Sequence, residues 1–152
     1  MYYPGMVRWA LRVVLVMSLL VVCGCGAAKK QFQTTRGSVT IHKVELSDRF
    51  PPDCEADTPP CLDADAGHKY LILWTWWDEV KGPGLSIDDM DRLGDFNEEA
   101  AQAHVTADDG SRIDLDGSGM ESGRVFLIYE VSDSARGFAL HWPNNPEVVL
   151  GK

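Results

Sequence analysis

The residues that could do nucleophilic chemistry are scattered along this sequence and form no recognisable catalytic motif. Ser118 lies between two glycines, but the Gly-x-Ser-x-Gly pattern of a serine nucleophile on a strand-to-helix turn is absent. The bases that could activate a serine are the four histidines, His42, His68, His104 and His141. Carboxylate pairs are too numerous for any one to indicate a general acid and base. We therefore predict that the protein is not an enzyme and uses no cofactor, and an exported enzyme is the alternative.

A second candidate for chemistry is the acidic segment Asp114-Leu115-Asp116-Gly117-Ser118-Gly119, which has part of the spacing of a calcium-binding loop. The helix–loop–helix calcium motif requires an acid two residues before Asp114 and a glutamate at the end of the loop. Arg112 and Gly123 occupy those positions, so the pattern fails and ordinary turns are predicted. We predict no metal site, although a looser surface calcium site near Asp114 and Asp116 stays open.

The first two of the four cysteines lie at the end of a predicted export signal. Arg8 and Arg12 provide positive charge, Leu11–Val22 is an apolar stretch, and small residues follow it. A basic region, an apolar core of ~7–15 residues and a small-residue exit are typical of a secretory signal peptide. The apolar stretch is too short to be a good membrane-spanning helix.

The end of this signal, Val22-Cys23-Gly24-Cys25, resembles the bacterial lipobox, in which a small residue precedes a cysteine that is diacylated. Cys25 follows Gly24 and is the better acceptor, because Cys23 follows the bulkier Val22. The resemblance implies a signal peptide over residues 1–24 and a membrane anchor at Cys25, on the extracytoplasmic side of a bacterial cell envelope. Two acyl chains are sufficient for stable anchoring. The alternative is a protein that is cleaved and fully secreted.

The other two cysteines lie in a proline-rich loop over residues 49–67, within Pro51-Pro52-Asp53-Cys54 and Pro59-Pro60-Cys61. Outside the reducing cytoplasm, Cys54 and Cys61 are predicted to form a disulfide. A redox-active pair is the alternative, but such a pair normally has two residues between its thiols. Residues 25–37, which precede the loop and the first predicted strand, are small and polar and are predicted to be a flexible tether.

The charge of the chain is strongly negative, with 23 acidic against 14 basic residues and a formal net charge of −9. Such a surface repels phosphate backbones, so we expect no nucleic-acid partner. It also disfavours electrostatic adhesion to anionic lipid head groups, so membrane attachment is expected through the lipid anchor alone.

The most apolar run outside the signal is Lys69–Trp77, which predicts a buried strand. One face of this strand carries Leu71, Leu73, Thr75 and Trp77, and the other carries Tyr70, Ile72, Trp74 and Trp76. Because neither face is polar, either both are covered or an aromatic row is left for a partner. We take Tyr70, Trp74 and Trp76 as a candidate binding surface. The alternative is that the helix predicted next in the chain lies over them.

The remaining pattern predicts a domain over residues 38–152 made of five to seven short strands. Strands are expected over Ser38–Leu46, with a bulge near His42, and over four later segments: 104–107, 112–115, 124–131 and 138–142, with a last strand at 148–150. A capping signature at Ser86 predicts one short helix over Ile87–Leu93, closed by Gly94. The segment Phe96–Ala103 is either a second turn of helix or an extended lead-in to the next strand. This pattern predicts an all-β fold, an immunoglobulin-like β-sandwich with one short helix in a long connection.

Parts of this pattern resemble the DUF4352 family of bacterial lipoprotein domains, which have an immunoglobulin-like, telokin-like sandwich also seen in secreted mycobacterial antigens. The resemblance spans about residues 37 to 150. It rests on Val39-Thr40-Ile41 with Val44, Lys69–Leu73, Asp109-Gly110, Gly123–Val131 and Ala135–His141. The chain departs from the family over Gly82–Gln102 and in its cysteine loop. The resemblance implies the sandwich but no catalytic residues, because the family has none established.

Together these features predict a lipoprotein of the cell envelope whose domain binds an envelope or extracellular protein or glycan. The alternative from another functional class is an accessory or structural subunit of an envelope complex. The sequence does not distinguish the inner from the outer membrane, and it does not indicate the oligomeric state.

Overall fold

The computed structural model of the protein describes residues 30–55, 61–78, 90–121 and 124–151. The described elements are β1 (Gln31–Thr34), β2 (Gly37–Ser47), β3 (Arg49–Phe50), β4 (Leu62–Asp63), β5 (His68–Trp77), α1 (Met90–Ala100), β6 (His104–Ala107), β7 (Arg112–Asp114), β8 (Gly117–Glu121), β9 (Arg124–Ser132), β10 (Phe138–His141) and β11 (Val148–Gly151). The predicted signal peptide, the lipidation site Cys25 and the first part of the tether lie outside these residues.

Two antiparallel sheets form the sandwich that the sequence predicts. The larger sheet has five strands in the order β1-β2-β5-β9-β8, and the smaller has four in the order β11-β10-β6-β7. The short strands β3 and β4 pair with each other as a separate ribbon. The prediction of an all-β sandwich with one short helix in a long connection is confirmed, although more strands form than the five to seven expected.

Strand β5 is the middle strand of the larger sheet, as its continuous apolar pattern predicts. It pairs with β2 along one side and with β9 along the other. Leu71, Leu73 and Trp77 on its inner face belong to one buried core with residues of the smaller sheet such as Val105 and Leu140. The strand is apolar on both faces because each face is covered over at least part of its length, while β2 and β9 flank its two edges.

Helix α1 lies at one end of the sandwich, where its Phe96 enters an aromatic cluster. The Phe96 ring centroid is 5.1 Å from Trp77, 5.0 Å from Trp142 and 6.4 Å from Phe32. Glu99, one turn on, accepts hydrogen bonds from the Thr35 backbone N–H at 2.9 Å and from the Trp142 indole N–H at 2.9 Å. The helix is therefore held to both sheets by packing and by one carboxylate.

The predicted end of the helix at Gly94 is wrong, because α1 continues through Gly94 to Ala100. A glycine inside a helix costs roughly 1 kcal/mol relative to alanine. Burial of Phe96 and Ala100, which are both in the core, outweighs that cost. The predicted start at Ile87 lies outside the described residues.

The predicted tether is too long at its C-terminal end, since Gln31–Thr34 forms β1 and pairs with β2. The polar residues of this segment alternate with Phe32, which is 1% exposed. The backbone of Gln33 is also held by the Asn145 side chain, which accepts from its N–H at 2.7 Å and donates to its carbonyl at 2.8 Å. One buried aromatic and these long-range bonds place the strand in the domain.

Two further local predictions have different outcomes. The bulge predicted near His42 is confirmed by a register shift between Ile41 and Lys43 in the pairing of β2 with β5.

The ordinary turns predicted over residues 114–119 are wrong in part, because Gly117–Glu121 forms the edge strand β8. Its two glycines weaken the strand pattern, and pairing with β9 over five residue pairs forms the strand nonetheless.

Candidate binding face on the larger sheet

The outer face of the larger sheet is partly covered by an arm, which we define as residues 48–55 and 61–65, including the β3–β4 ribbon. Cys54 and Cys61 are joined by a disulfide whose Cα atoms are 5.9 Å apart, so the predicted bridge is confirmed. It closes the arm beyond the paired residues Phe50 and Leu62. A short two-stranded ribbon is marginal by itself, and the bridge limits its freedom to unfold.

The arm packs on one end of β5 through apolar contacts. Phe50 lies over Phe126 of β9 with ring centroids 4.9 Å apart. Beneath the arm, Tyr70, Ile72 and Ile128 form a second buried cluster on this outer face. The alternative that helix α1 covers the outer face is therefore wrong, because the covering segment is the arm and α1 packs against the inner residue Trp77.

Tyr70 is held under the arm by polar contacts and is 8% exposed. Its hydroxyl donates to the Asp63 carbonyl at 3.3 Å, and the Asp65 backbone N–H donates to Glu130 at 2.7 Å beside it. Burial raises the pKa of Tyr70, and the negative charge of Glu130 adds to this shift. Of the three aromatic residues singled out in the sequence, Tyr70 is thus the one that packs beneath the arm.

Trp74 lies beyond the edge of the arm and is half-buried. Its indole N–H donates to Glu45 at 3.3 Å, and Glu45 pairs with Lys43 at 2.7 Å. Its ring meets the Phe126 ring edge-on, with centroids 5.5 Å apart and planes at 62°. These contacts fix the orientation of the indole while part of it stays accessible to solvent.

Trp76 is also half-buried and follows Trp74 on the same face of β5. Its register partner on β2 is Thr40, which in turn lies opposite Gln31 of β1. We use the name aromatic face for the outer-face residues Phe50, Trp74, Trp76 and Phe126. The structure thus places Trp74 and Trp76 on one accessible surface, as expected from their spacing.

Next to Trp76 lies a polar patch, defined as Gln31, Gln33, Ser38, Thr40 and Asp78. Within it, the Gln31 amide N–H₂ group donates to both Ser38 and Asp78. Thr40 donates to the other Asp78 oxygen at 2.7 Å, and Gln33 donates to Ser38 at 3.2 Å. The patch is therefore a set of polar side chains that orient one another beside an aromatic surface.

Within the part of the chain that the structure describes, the side chains considered for catalysis do not come together in one site. Ser118 donates to Asn97 at 3.1 Å, whereas His104 and His141 stack on the smaller sheet with ring centroids 4.7 Å apart. Asp114 pairs with Arg112 at 2.9 Å. Over residues 30–55, 61–78, 90–121 and 124–151, no group of three or more histidine, cysteine or acidic residues is arranged to hold a metal ion.

The sequence did not indicate that Phe50, Phe126, Glu45 and Gln31 belong to the same face. Phe126 has the right parity on a predicted strand, so the alternation of β9 could have identified it. Phe50 and Gln31 come from the loop and the supposed tether, where no periodic signal exists. Only the pairing of strands distant in sequence brings them together.

Comparison of the chain with protein-family models, with curated proteins and with solved structures finds no match. The resemblance to the lipoprotein-domain family consequently stays a prediction. Among the described residues, no helix is long and apolar enough to cross a membrane.

Proposed function

We propose that this protein is an exported lipoprotein of the bacterial cell envelope, anchored through Cys25, whose sandwich domain binds an envelope or extracellular ligand without catalysis. The export signal and lipobox-like ending support the anchor. The disulfide between Cys54 and Cys61 also supports an oxidising compartment, since such bonds are rare in the cytosol of mesophiles. The acidic composition fits a domain that stays in solution beside a membrane rather than on it.

The observation that supports a binding role is that Trp74 is half-buried and held in one orientation. The Trp74 indole presents an apolar ring to solvent, and a carboxylate and a second ring hold it in one orientation. Aromatic side chains with few rotamers lose little entropy on binding and are enriched at recognition sites. The aromatic face is therefore the proposed ligand site.

The test is retention of the purified protein on sedimented envelope fragments of the producing cell, in detergent that keeps the acyl chains at Cys25 from inserting into membrane lipid. Trp74→Ala is expected to reduce retention at least tenfold, because the platform for the ligand is removed. Val149→Ala is the matched control, since Val149 is 65% exposed on the opposite sheet. Equal retention of both variants and of the unaltered protein would mean that the aromatic face is not the binding site.

A further inference from the structure

The position of Trp74 in the sheet restricts how a ligand can be recognised. β5 is hydrogen-bonded to β2 and to β9 along its length, so its main-chain groups are already used in the two ladders. An extended peptide cannot be added beside it as a further strand, which requires a free sheet edge. Recognition at the aromatic face must therefore come from side chains alone.

The side chains present combine flat apolar surfaces with hydrogen-bond acceptors. Trp74 and Trp76 are two residues apart on one face, a spacing of about 6.6 Å along a strand. Gln31 uses both amide N–H groups within the polar patch, so its carbonyl oxygen is left to accept from a ligand. The carboxylates of Glu45 and Asp78 can only accept. A ligand with flat apolar faces and many O–H donors is complementary to this combination.

The charge of the surface further limits the class of ligand that can bind. Lys43 is the positive group next to Trp74, and it is already paired with Glu45. The whole chain carries a net charge of −9. Polymers bearing carboxylates or phosphates would be repelled by this surface, whereas uncharged sugar chains would not.

We propose that the aromatic face binds a neutral glycan chain. Adjacent sugar rings stack on Trp74 and Trp76, and their hydroxyl groups donate to Glu45, Asp78 and Gln31, with Thr40 orienting Asp78. This assignment rests on the proposed binding function and specifies its ligand class. Because the acceptors are held by one another before binding, little side-chain entropy is lost when the chain docks.

The experiment measures retention of the full-length protein on envelope fragments after two treatments of the fragments, in detergent that keeps the acyl chains at Cys25 from inserting into membrane lipid. Periodate, which cleaves sugar diols, is expected to reduce retention at least tenfold, whereas protease digestion is expected to leave it within twofold. Cellotetraose and maltotetraose, two neutral tetrasaccharides whose sugars carry vicinal diols, are added as soluble competitors, and tetragalacturonate is the acidic control of equal length. Competition by at least one neutral tetrasaccharide, and none by the acidic one, is expected.

Two amide variants test the location of the site without removing a large core side chain, so a loss of binding can be separated from a loss of folding. Gln31→Ala removes an acceptor at the half-buried end of the polar patch and is expected to weaken retention about threefold, with an unchanged thermal midpoint. Gln102→Ala, at the end of α1, is the control for loss of an amide elsewhere and is expected to retain full binding.

The possible failures are distinguishable. Retention that survives periodate but is lost after protease treatment, or competition by tetragalacturonate alone, would overturn the glycan assignment while leaving a binding domain in place. Retention that is absent under every condition would overturn the proposed function itself. Glycan-dependent retention that is unchanged in both Trp74→Ala and Gln31→Ala would overturn the assignment to the aromatic face.

Discussion

At the scale of single residues, the aromatic face depends on a glycine on the neighbouring edge strand. Gly119 of β8 lies opposite Phe126, and a Cβ atom built on Gly119 would come within 2.5 Å of the Phe126 ring. Phe126 in turn contacts both Phe50 of the arm and Trp74. The absence of a side chain at one position thus allows three aromatic rings from different elements to pack together.

Gly119→Ala is therefore expected to destabilise the protein by about 1–3 kcal/mol, because the Phe126 ring must move from its contacts with Phe50 and Trp74. Gly117→Ala is the matched control on the same strand and the same face, since nothing lies within 4 Å of its added Cβ. The measurement is the free energy of unfolding in urea for both variants. A loss no larger for Gly119→Ala than for Gly117→Ala would contradict the packing argument.

At the scale of elements, the arm is a short unit that is held by one disulfide, by apolar contacts of Phe50 and by polar contacts at Asp63 and Asp65. The loop closed by Cys54 and Cys61 is short, so the chain-entropy contribution of the bridge is about 2.5 kcal/mol. The paired Cys54→Ser, Cys61→Ser variant should lose about that much in unfolding free energy.

Loosening of the arm should also expose the cluster of Tyr70, Ile72 and Ile128, so binding of an apolar dye should increase at native conditions. The control is the unaltered protein after mild reduction, which should show the same increase. An unchanged dye signal in both samples would mean that the noncovalent contacts of the arm hold it in place without the bridge.

The pairing of β6 with β10 is expected to make stability sensitive to mildly acidic pH. His104 and His141 lie opposite each other and stack, Thr106 bonds to His141 at 2.9 Å, and Glu147 lies 3.5 Å from the same ring. Partial burial lowers the pKa of His104, with Arg112 and His141 adding to the shift and Asp114 opposing it. Below the ordinary value of about 6.5 the unfolded chain then takes up a proton that the folded protein resists.

Stability is therefore expected to fall as pH is lowered from 7.5 to 5.5, and His104→Gln should flatten this dependence. His42→Gln, which alters an exposed histidine on the β2 bulge, is the control and should leave the slope unchanged. Urea unfolding at three pH values measures the effect. Equal slopes for the His104→Gln variant and the unaltered protein would exclude this histidine as the cause.

At the scale of the whole molecule, the location of the protein rests on processing at Cys25. Intact mass spectrometry of the protein from native membranes should give a chain that begins at Cys25 and carries acyl groups. Reduction and alkylation should modify one further pair of thiols, those of Cys54 and Cys61. A mass equal to the unprocessed chain with four free thiols would place the protein in a reducing compartment and contradict both the anchor and the ligand proposals.

The sequence alone determined most strands of the sandwich and the disulfide. Alternation over β5, β9 and β10 predicts strands because side chains on a strand point to opposite faces with a period of two. The bridge follows because the described chain has one cysteine pair, Cys54 and Cys61, that falls in a single loop. These features are local, so a single sequence contains the information that specifies them.

Only the tertiary structure decided which surface stays accessible. Local patterns gave no sign that Gln31–Thr34 is a strand or that the arm rather than the helix covers Tyr70, and they left open whether helix continues beyond Gly94. Each of these outcomes comes from contacts between residues far apart in the chain, such as Phe32 with Trp142 and Phe50 with Phe126. Burial of those rings outweighs the local preferences of polar and glycine residues, and local preferences are all that a single sequence displays.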